Sequence, residues 1–415
     1  MTSLRIALAS YRSKEHSGGQ GIYVRNLSRE LTALGHRVEV FSGAPYAVLD
    51  DGVHLTKVPG LDLYRPEDPF RRPGLREFHS DLDVLEYATM CTAGFPEPRI
   101  FGLRLERLLR SRLGAFDILH DNQTLAPGIL RLHRRGLPLL TTIHHPITAD
   151  RALELAHARG WQRITKRRFY DFVWMQRRVA RQLPAVLTVS ETSKADIERD
   201  FQVPPDRIAV VPVGVDVDVF APPAAPRVEG RLVTVASADV PLKGLSVLIA
   251  ALAKLDPAAW RELVVVGSPS DRTNKELADA GLLDRVSFRS GLPEAELAAL
   301  LGSAQVHVVP SRYEGFSLPA VEAMACGTPL VASSVGALPD LVGRSSAAAG
   351  LLVPPGDAAA LASGLAQLLE APDRRTSMGA VGRRRAVDTY SWRAVARQTV
   401  AQYSAAISAQ QGSSR

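Results

Sequence analysis

Two carboxylates eight residues apart, Glu314 and Glu322, lie in the stretch Pro310-Ser-Arg-Tyr-Glu-Gly-Phe-Ser-Leu-Pro-Ala-Val-Glu-Ala-Met-Ala-Cys-Gly-Thr-Pro329. A carboxylate accepts two hydroxyl hydrogen bonds at once, so such a pair can grip the vicinal diols of a sugar or a ribose. The apolar run Val306–Val309 breaks at Pro310 and Ser311, which predicts a strand ending in a loop. Pro319 suits the first turn of a helix, and Gly327 and Pro329 stop it. Gly315, Phe316, Ser317 and Leu318 are thereby delivered to a helix N-terminus, where backbone N–H groups and the dipole attract anions. Two glutamates at this spacing are ordinarily just solvated. Pro-Ser, Glu-Gly-Phe and Glu-Ala-Met-Ala-Cys-Gly-x-Pro in one block make the combination specific.

The block resembles the Glu-x7-Glu signature of the retaining nucleotide-sugar glycosyltransferases of family GT4, which have the two-domain GT-B fold. The resemblance implies that Glu314 holds the hydroxyls of the transferred sugar and Glu322 the ribose. It also implies that the N–H groups of Gly315, Phe316, Ser317 and Leu318 meet the sugar and the diphosphate.

The elements that must position these residues start from length. At 415 residues the chain exceeds one ordinary core and predicts two domains of roughly 200 residues each. Its 46% apolar and 22% charged content is that of a soluble globular protein, and no apolar stretch approaches the ~20 residues that span a bilayer. The segment Leu4–Ala9 lacks the layout of a signal peptide and reads as a first strand. Two cysteines, Cys91 and Cys326, exclude a disulfide framework or a cysteine zinc site and fit a reducing cytoplasm. A net charge of +7 points to an anionic partner without identifying it.

Near the N-terminus, Ser17-Gly18-Gly19-Gln20-Gly21 follows the first strand and opens an amphipathic run from Ile22 to Leu34. Glycines there let a backbone approach a ligand, yet the pattern is not Gly-x-Gly-x-x-Gly and no acid closes the next strand, so a dinucleotide site is not expected. A tight turn without a ligand reads equally well; the resemblance assigns Gly18 and Gly19 to the donor cleft. Residues 45–115 show little pattern beyond an Arg-rich helix from Ile100 to Leu113. The apolar strand Leu137–Ile143 ends in His144-His145-Pro146, where α/β folds place ligand contacts. Adjacent histidines in an extended chain point to opposite sides, so no joint metal site is expected. A structural histidine would satisfy the pattern as well; Thr142-Ile143-His144 matches the family's sugar-contacting histidine, which favours His144 over His145. His120 is a weaker candidate.

Residues 151–184 read as one long helical pattern, with a break near Gly160, carrying nine Arg or Lys against two acids and interleaved aromatics. A solvated helix accounts for this; the sharper expectation is a peripheral contact of the basic 158–184 helix with anionic lipid or a phosphorylated acceptor. Asp216-Val-Asp218 matches the family's Gly-Val-Asp-x-x-x-Phe segment rather than a metal motif, and Ala221–Pro226 is the expected domain boundary. Beyond it, Lys243-Gly244 ends the turn after a strand at Leu232–Ala236, and the lysine can reach phosphate oxygens. The resemblance assigns Lys243 and Gly244 to the diphosphate and the backbone at Arg289 to the base. It also calls for an arginine where this chain has Ser237 and Ala238, a departure that leaves the charge to Lys243 and the helix N-terminus.

The expected fold is α/β of the GT-B type: two Rossmann-like domains with a deep interdomain cleft and a C-terminal helix crossing back. The expected division is residues 1–222 for the acceptor, 227–388 for the nucleotide sugar and 389–415 for the returning helix. The expected activity is retaining transfer of a hexosyl group from a UDP- or GDP-type nucleotide sugar to a small-molecule, glycan or lipid-linked acceptor. Glu314, His144 and Lys243 act on the reacting sugar, with no metal, no other cofactor and no nucleic acid. The location is cytoplasmic, with peripheral contact to the inner membrane face as its variant. The alternatives are a non-catalytic nucleotide-sugar binder, a nucleotide-sugar 2-epimerase, which the glutamate block disfavours, and a phosphorylase, for whose pyridoxal lysine no segment speaks.

Overall fold

A computed structural model describes residues 3–13, 19–65, 67–236, 240–344 and 347–413, in two compact units. The first runs to Pro212 and takes in the chain again from Val395; the second is Val213–Ala394. Gly18, Ser237 and Ala238 lie outside the described residues.

The first unit is built on seven parallel strands: β1 (Arg5–Ser10), β2 (Arg37–Ser42), β3 (His54–Lys57), β4 (Ile118–Asn122), β5 (Leu139–Thr142), β6 (Val186–Thr188) and β7 (Ile208–Val210), ordered β3-β2-β1-β4-β5-β6-β7. The second has six: β8 (Arg231–Val235), β9 (Glu262–Val266), β10 (Val286–Arg289), β11 (Val306–Val309), β12 (Leu330–Ser333) and β13 (Gly350–Val353), ordered β10-β9-β8-β11-β12-β13. Both sheets therefore reverse direction once, between β1 and β4 and between β8 and β11. In doubly wound sheets the loops at such a reversal diverge and leave a crevice at the carboxyl ends of the strands.

Continuous apolar runs make these strands because helices cover both faces of a parallel sheet. In the second unit Leu232, Leu263, Val306 and Val308 join one core and Val233, Val264 and Val309 the other, as alternation along a strand requires. The helix Gly19–Ala33 buries Tyr23, Val24, Leu27 and Leu31 at helical spacing. Among the described residues no helix is long and apolar enough to cross a membrane.

Three sequence expectations need amending. The 151–184 pattern forms three helices, Thr148–His157, Trp161–Phe169 and Phe172–Ala180, with Gly160 in a left-handed conformation at the first break. Residues 45–115 also contain β3 and a helix, Asp81–Cys91, capped by Ser80 and Asp83. Finally, the units divide before Val213 rather than within 221–226. Arg383 Nη1 donates to the carbonyls of Val217, Phe220 and Ala325 at 2.9–3.0 Å, and Val215 and Phe220 enter a core of the second unit. Arg227 completes the seam, donating at 2.6–2.9 Å to the carbonyls of Gly302, Ala304, Cys326 and Gly327 and to Thr328 Oγ1. Val215 also bridges Ser391, which keeps 389–394 with the second unit.

One strand residue works against the fold. His307 in β11 is fully buried and neither ring nitrogen has a partner among the described residues; burial pushes its pKa down to about 3. Unfolded, the ring titrates near ~6.5. Between those values the unfolded chain binds more protons, so this residue removes stability as pH falls through that window. His307→Leu, which removes an unsatisfied buried group, is expected to be neutral or stabilising by about 1 kcal/mol at pH 7. Its stability advantage should widen at pH 5, as read by urea denaturation at both pH values. An equal acid sensitivity in the two proteins would contradict this assignment.

Candidate active site

At the reversal between β8 and β11, two loops are pressed together by their backbones. Gly244 has φ +72°, and a Cβ there would lie 1.9 Å from the carbonyl oxygen of Pro310. The N–H of Arg312 donates to the carbonyl of Leu242 at 2.7 Å, and Thr234 Oγ1 ties β8 to the Val308 carbonyl at 2.8 Å. This approach brings Lys243 Nζ to the carboxylate of Glu314, 3.0 Å from Oε2 and 3.3 Å from Oε1. Ser311 Oγ donates to the same Oε2 at 3.1 Å. From the other side Gly336, φ +54°, sits where a Cβ would be 1.8 Å from the Glu314 carbonyl oxygen, which accepts from the N–H of Ala337 at 3.1 Å. Glu314 is buried by these contacts while Lys243 stays one-third exposed.

The helix Leu318–Ala325 follows, with Pro319 in its first turn. Its N-cap, Ser317, holds the left-handed conformation at φ +76°, which is strained for a residue with a Cβ, and its buried Oγ has no partner among the described residues. A strained residue with an orphaned buried hydroxyl marks a position shaped for something other than stability. Phe316 packs edge-on against Tyr390 at 6.1 Å. Glu322 lies in the second turn, half-buried. Burial, with a smaller push from Glu294, raises its carboxyl to about 8, so near neutrality it carries a proton and both donates and accepts. That carboxyl can exchange hydrogen bonds with a ligand; among the described residues it makes no hydrogen bond or ion pair, with Glu314 or otherwise, while the Glu322 carbonyl accepts from the N–H of Cys326 at 3.0 Å. Arg289 ends the edge strand β10, exposed, and its carbonyl accepts from Gly267 N–H at 2.7 Å. The structure joins Lys243, Gly244 and Glu314 in one cluster and does not bring Arg289 to it.

In the first unit the corresponding reversal is marked by strain after β4: Gln123 and Leu125 both have positive φ. The Asp121 carboxylate accepts the N–H groups of Thr124 and Leu125 at 3.2 and 3.1 Å, and burial lifts its pKa to about 6. The loop so formed holds His144. Its N–H donates to Gln123 Oε1 at 2.8 Å, Gln123 Nε2 donates to the His145 carbonyl at 2.9 Å, and Nε2 of His144 lies 2.9 Å from Asn122 Oδ1. Tyr23 packs edge-on against the ring at 4.8 Å. Burial, with a lesser contribution from His145, pushes His144 down to about 3, so the ring is neutral; Asn122 Oδ1 can only accept, which puts the proton on Nε2 and leaves Nδ1 as an acceptor. The side chain of His145 is exposed. His120 is part of the scaffold instead, buried between Tyr403 Oη and Thr142 Oγ1 at 2.7 Å each. Gly19 is the first residue of its helix.

Sequence reasoning missed Ser311, Gly336, Asn122 and Gln123. The polar run His120-Asp-Asn-Gln123, which closes β4 and leads into the loop, was the available signal for the last two; the others depend on which loops the topology makes neighbours. Asp216 caps a turn through the N–H groups of Asp218 and Val219, and among the described residues no three His, Cys, Asp or Glu side chains converge as a metal ion needs.

Gly244→Ala and Gly336→Ala should each lower stability by ~1–3 kcal/mol. Gly356→Ala is the control, since φ there is +76° but nothing lies within 4 Å of the added carbon. Thermal melts should separate clash from φ strain; equal behaviour of all three would remove the argument.

Residues 17–219 match the family described as "Glycosyltransferase Family 4", and residues 221–385 the one described as "Glycosyl transferases group 1". The chain is 54% identical over 407 residues to an MMP alpha-(1->4)-mannosyltransferase of Mycolicibacterium hassiacum, covering 97% of this chain and 98% of the relative. It is 33% identical over 417 residues to a D-inositol 3-phosphate glycosyltransferase of Frankia alni, covering 94% and 95%. In fold it resembles Anabaena Alr3699/HepE, solved in complex with UDP and glucose, with a TM-score of 0.68 at 16% identity over 97% of this chain and 99% of the other.

Proposed function

Since the chain belongs to glycosyltransferase family 4 and has the GT-B fold, we propose that it is a retaining mannosyltransferase, extending an α-(1→4)-linked glycan from a nucleoside-diphosphate mannose. The observation that carries the donor half of this reading is the Lys243–Glu314 pair, set by two glycine contacts at the reversal of the second sheet. The sugar half draws on the linkage named for the 54% identical relative.

In this reading the diphosphate takes hydrogen bonds from Lys243 and from the start of the helix Leu318–Ala325. Glu314 accepts from sugar hydroxyls, and the protonated Glu322 exchanges hydrogen bonds with the ribose. As the bond from the anomeric carbon to the diphosphate breaks, negative charge grows on the leaving phosphate. Lys243 neutralises it from a position fixed before the reaction begins, the arrangement that lowers barriers most. His144 is the sugar contact of the first unit: its neutral ring presents Nδ1 to a hydroxyl. No protein side chain is assigned as general base, because the departing phosphate oxygen is itself suited to take the acceptor's proton. No metal ion or further cofactor has a part in this reading.

Glu314→Ala and Lys243→Ala should each lower turnover by about 10²–10³ or more with melting temperature little changed. The assay is release of nucleoside diphosphate in the presence of acceptor. Full turnover in both variants would end this site assignment, and no release by the parent would leave a binding protein.

Substrates are separated by a panel. Thermal melts with GDP, UDP and ADP and their sugars should single out one nucleotide, a ligand at a hundred times its Kd adding about 2.7 kcal/mol. With the selected donor, α-(1→4)-linked mannosides should be extended and D-inositol 3-phosphate should not; the reverse result would favour the function named for the 33% identical relative.

A further inference from the structure

The first unit contains a groove of about 680 Å3, lined by no residue of the candidate active site but in part by the basic 158–184 segment, and walled by the helices Glu97–Leu109, Pro127–Arg134 and Phe172–Ala180. Five arginines from four helices stand on its wall: Arg99, Arg131, Arg134, Arg168 and Arg178. Two are neutralised, Arg131 by Glu106 at 2.6 Å and Arg168 by Asp171 at 3.0 Å, and Asp171 is the only acid in the lining. Arg134 donates to the uncharged Gln182 Oε1 at 2.7 Å. Arg99 and Arg178 are exposed, and their guanidinium groups make no hydrogen bond or ion pair among the described residues. Three guanidiniums without an acidic partner thus share one concavity, where low-dielectric walls focus positive potential.

A cavity of the second unit shows that arginine-lined space is not in itself a binding site. That one is about 810 Å3, and three of its four arginines, Arg227, Arg375 and Arg383, are committed to backbone carbonyls, leaving only Arg384. The groove of the first unit differs because none of its arginine side chains is committed to backbone carbonyls, and the guanidiniums of Arg99 and Arg178 are engaged by no described residue. Its volume falls in the range of small-ligand sites. The planar guanidinium fork matches phosphate oxygens two at a time. A flat membrane surface cannot enter a concavity to reach three such groups together.

We propose that this groove binds a soluble ligand bearing two or more phosphate groups, held by Arg99, Arg134 and Arg178, with the half-exposed Trp174 as its apolar wall. It is a second anion site, independent of the donor cluster and of the reading given to it. The test is calorimetric titration of tripolyphosphate into the full chain carrying Lys243→Ala, so that the donor lysine contributes nothing. Adding Arg99→Ala with Arg178→Ala should weaken binding at least about tenfold, as loss of charge-assisted contacts does. Adding Arg76→Ala with Arg110→Ala, an equal loss of charge outside the groove, should change it less than about twofold. Both pairs of side chains are exposed, so melting temperatures should stay together. Equal weakening by both pairs, or no binding by the starting protein, would overturn the proposal. So would loss of binding to anionic phospholipid vesicles in the groove variant with tripolyphosphate affinity unchanged, which would make the groove part of a membrane face.

Discussion

For Lys243 to meet Glu314, two loops leaving neighbouring strands must touch backbone to backbone. That contact has no room for a side chain at Gly244 or at Gly336. The constraint explains why the cluster is built where the second sheet reverses: only there do two successive loops diverge enough to leave a crevice yet start from adjacent strands. The ion pair is a product of this geometry more than a cause of it. A one-third exposed lysine and a buried carboxylate gain little net free energy from each other, because desolvation opposes attraction. Placement of a positive and a negative group at a fixed spacing is what the arrangement provides, at the expense of a strained Ser317 and its unsatisfied hydroxyl.

The first unit solves a similar problem with different means. There the strain falls on Gln123 and Leu125, and an amide side chain, rather than a close backbone contact, fixes His144. Gln123 grips the main chain on both sides of His144, and Asn122 sets which ring nitrogen carries the proton. Behind them Tyr23, Thr142, His120 and Tyr403 form a chain of buried hydrogen bonds that draws the C-terminal helix of the same unit into the support.

What could be read from the sequence follows from how local each signal is. The strand-loop-helix around Glu314, the helix start at Pro319 and its stop at Gly327 depend on neighbours in the chain, and the structure has them at those places. The partnership of Lys243 with Glu314 joins residues 71 positions apart and was hidden, although both were singled out separately. The same holds for the carbonyls that Arg383 collects across 58 to 166 positions, which assign 213–220 to the second unit while composition pointed to the proline-rich stretch beyond. The basic segment misled in the opposite way: its apolar spacing stays helical across Tyr170 and Asp171, so periodicity alone did not register the turn between two helices. His307 has no sequence signal at all, because an apolar strand with one histidine reads the same whether or not the ring finds a partner.

Arg227 carries a consequence for kinetics. Its guanidinium closes on five acceptors lying 75 to 101 residues away, on two separate loops. Those acceptors exist as a set only once the strands and helices that present them have docked, so the clamp can be completed only late in folding. Interactions formed after the rate-limiting barrier leave the folding rate alone and instead slow escape from the native state. Arg227, in the segment ahead of β8, therefore bears on how slowly the second unit opens more than on how fast it forms.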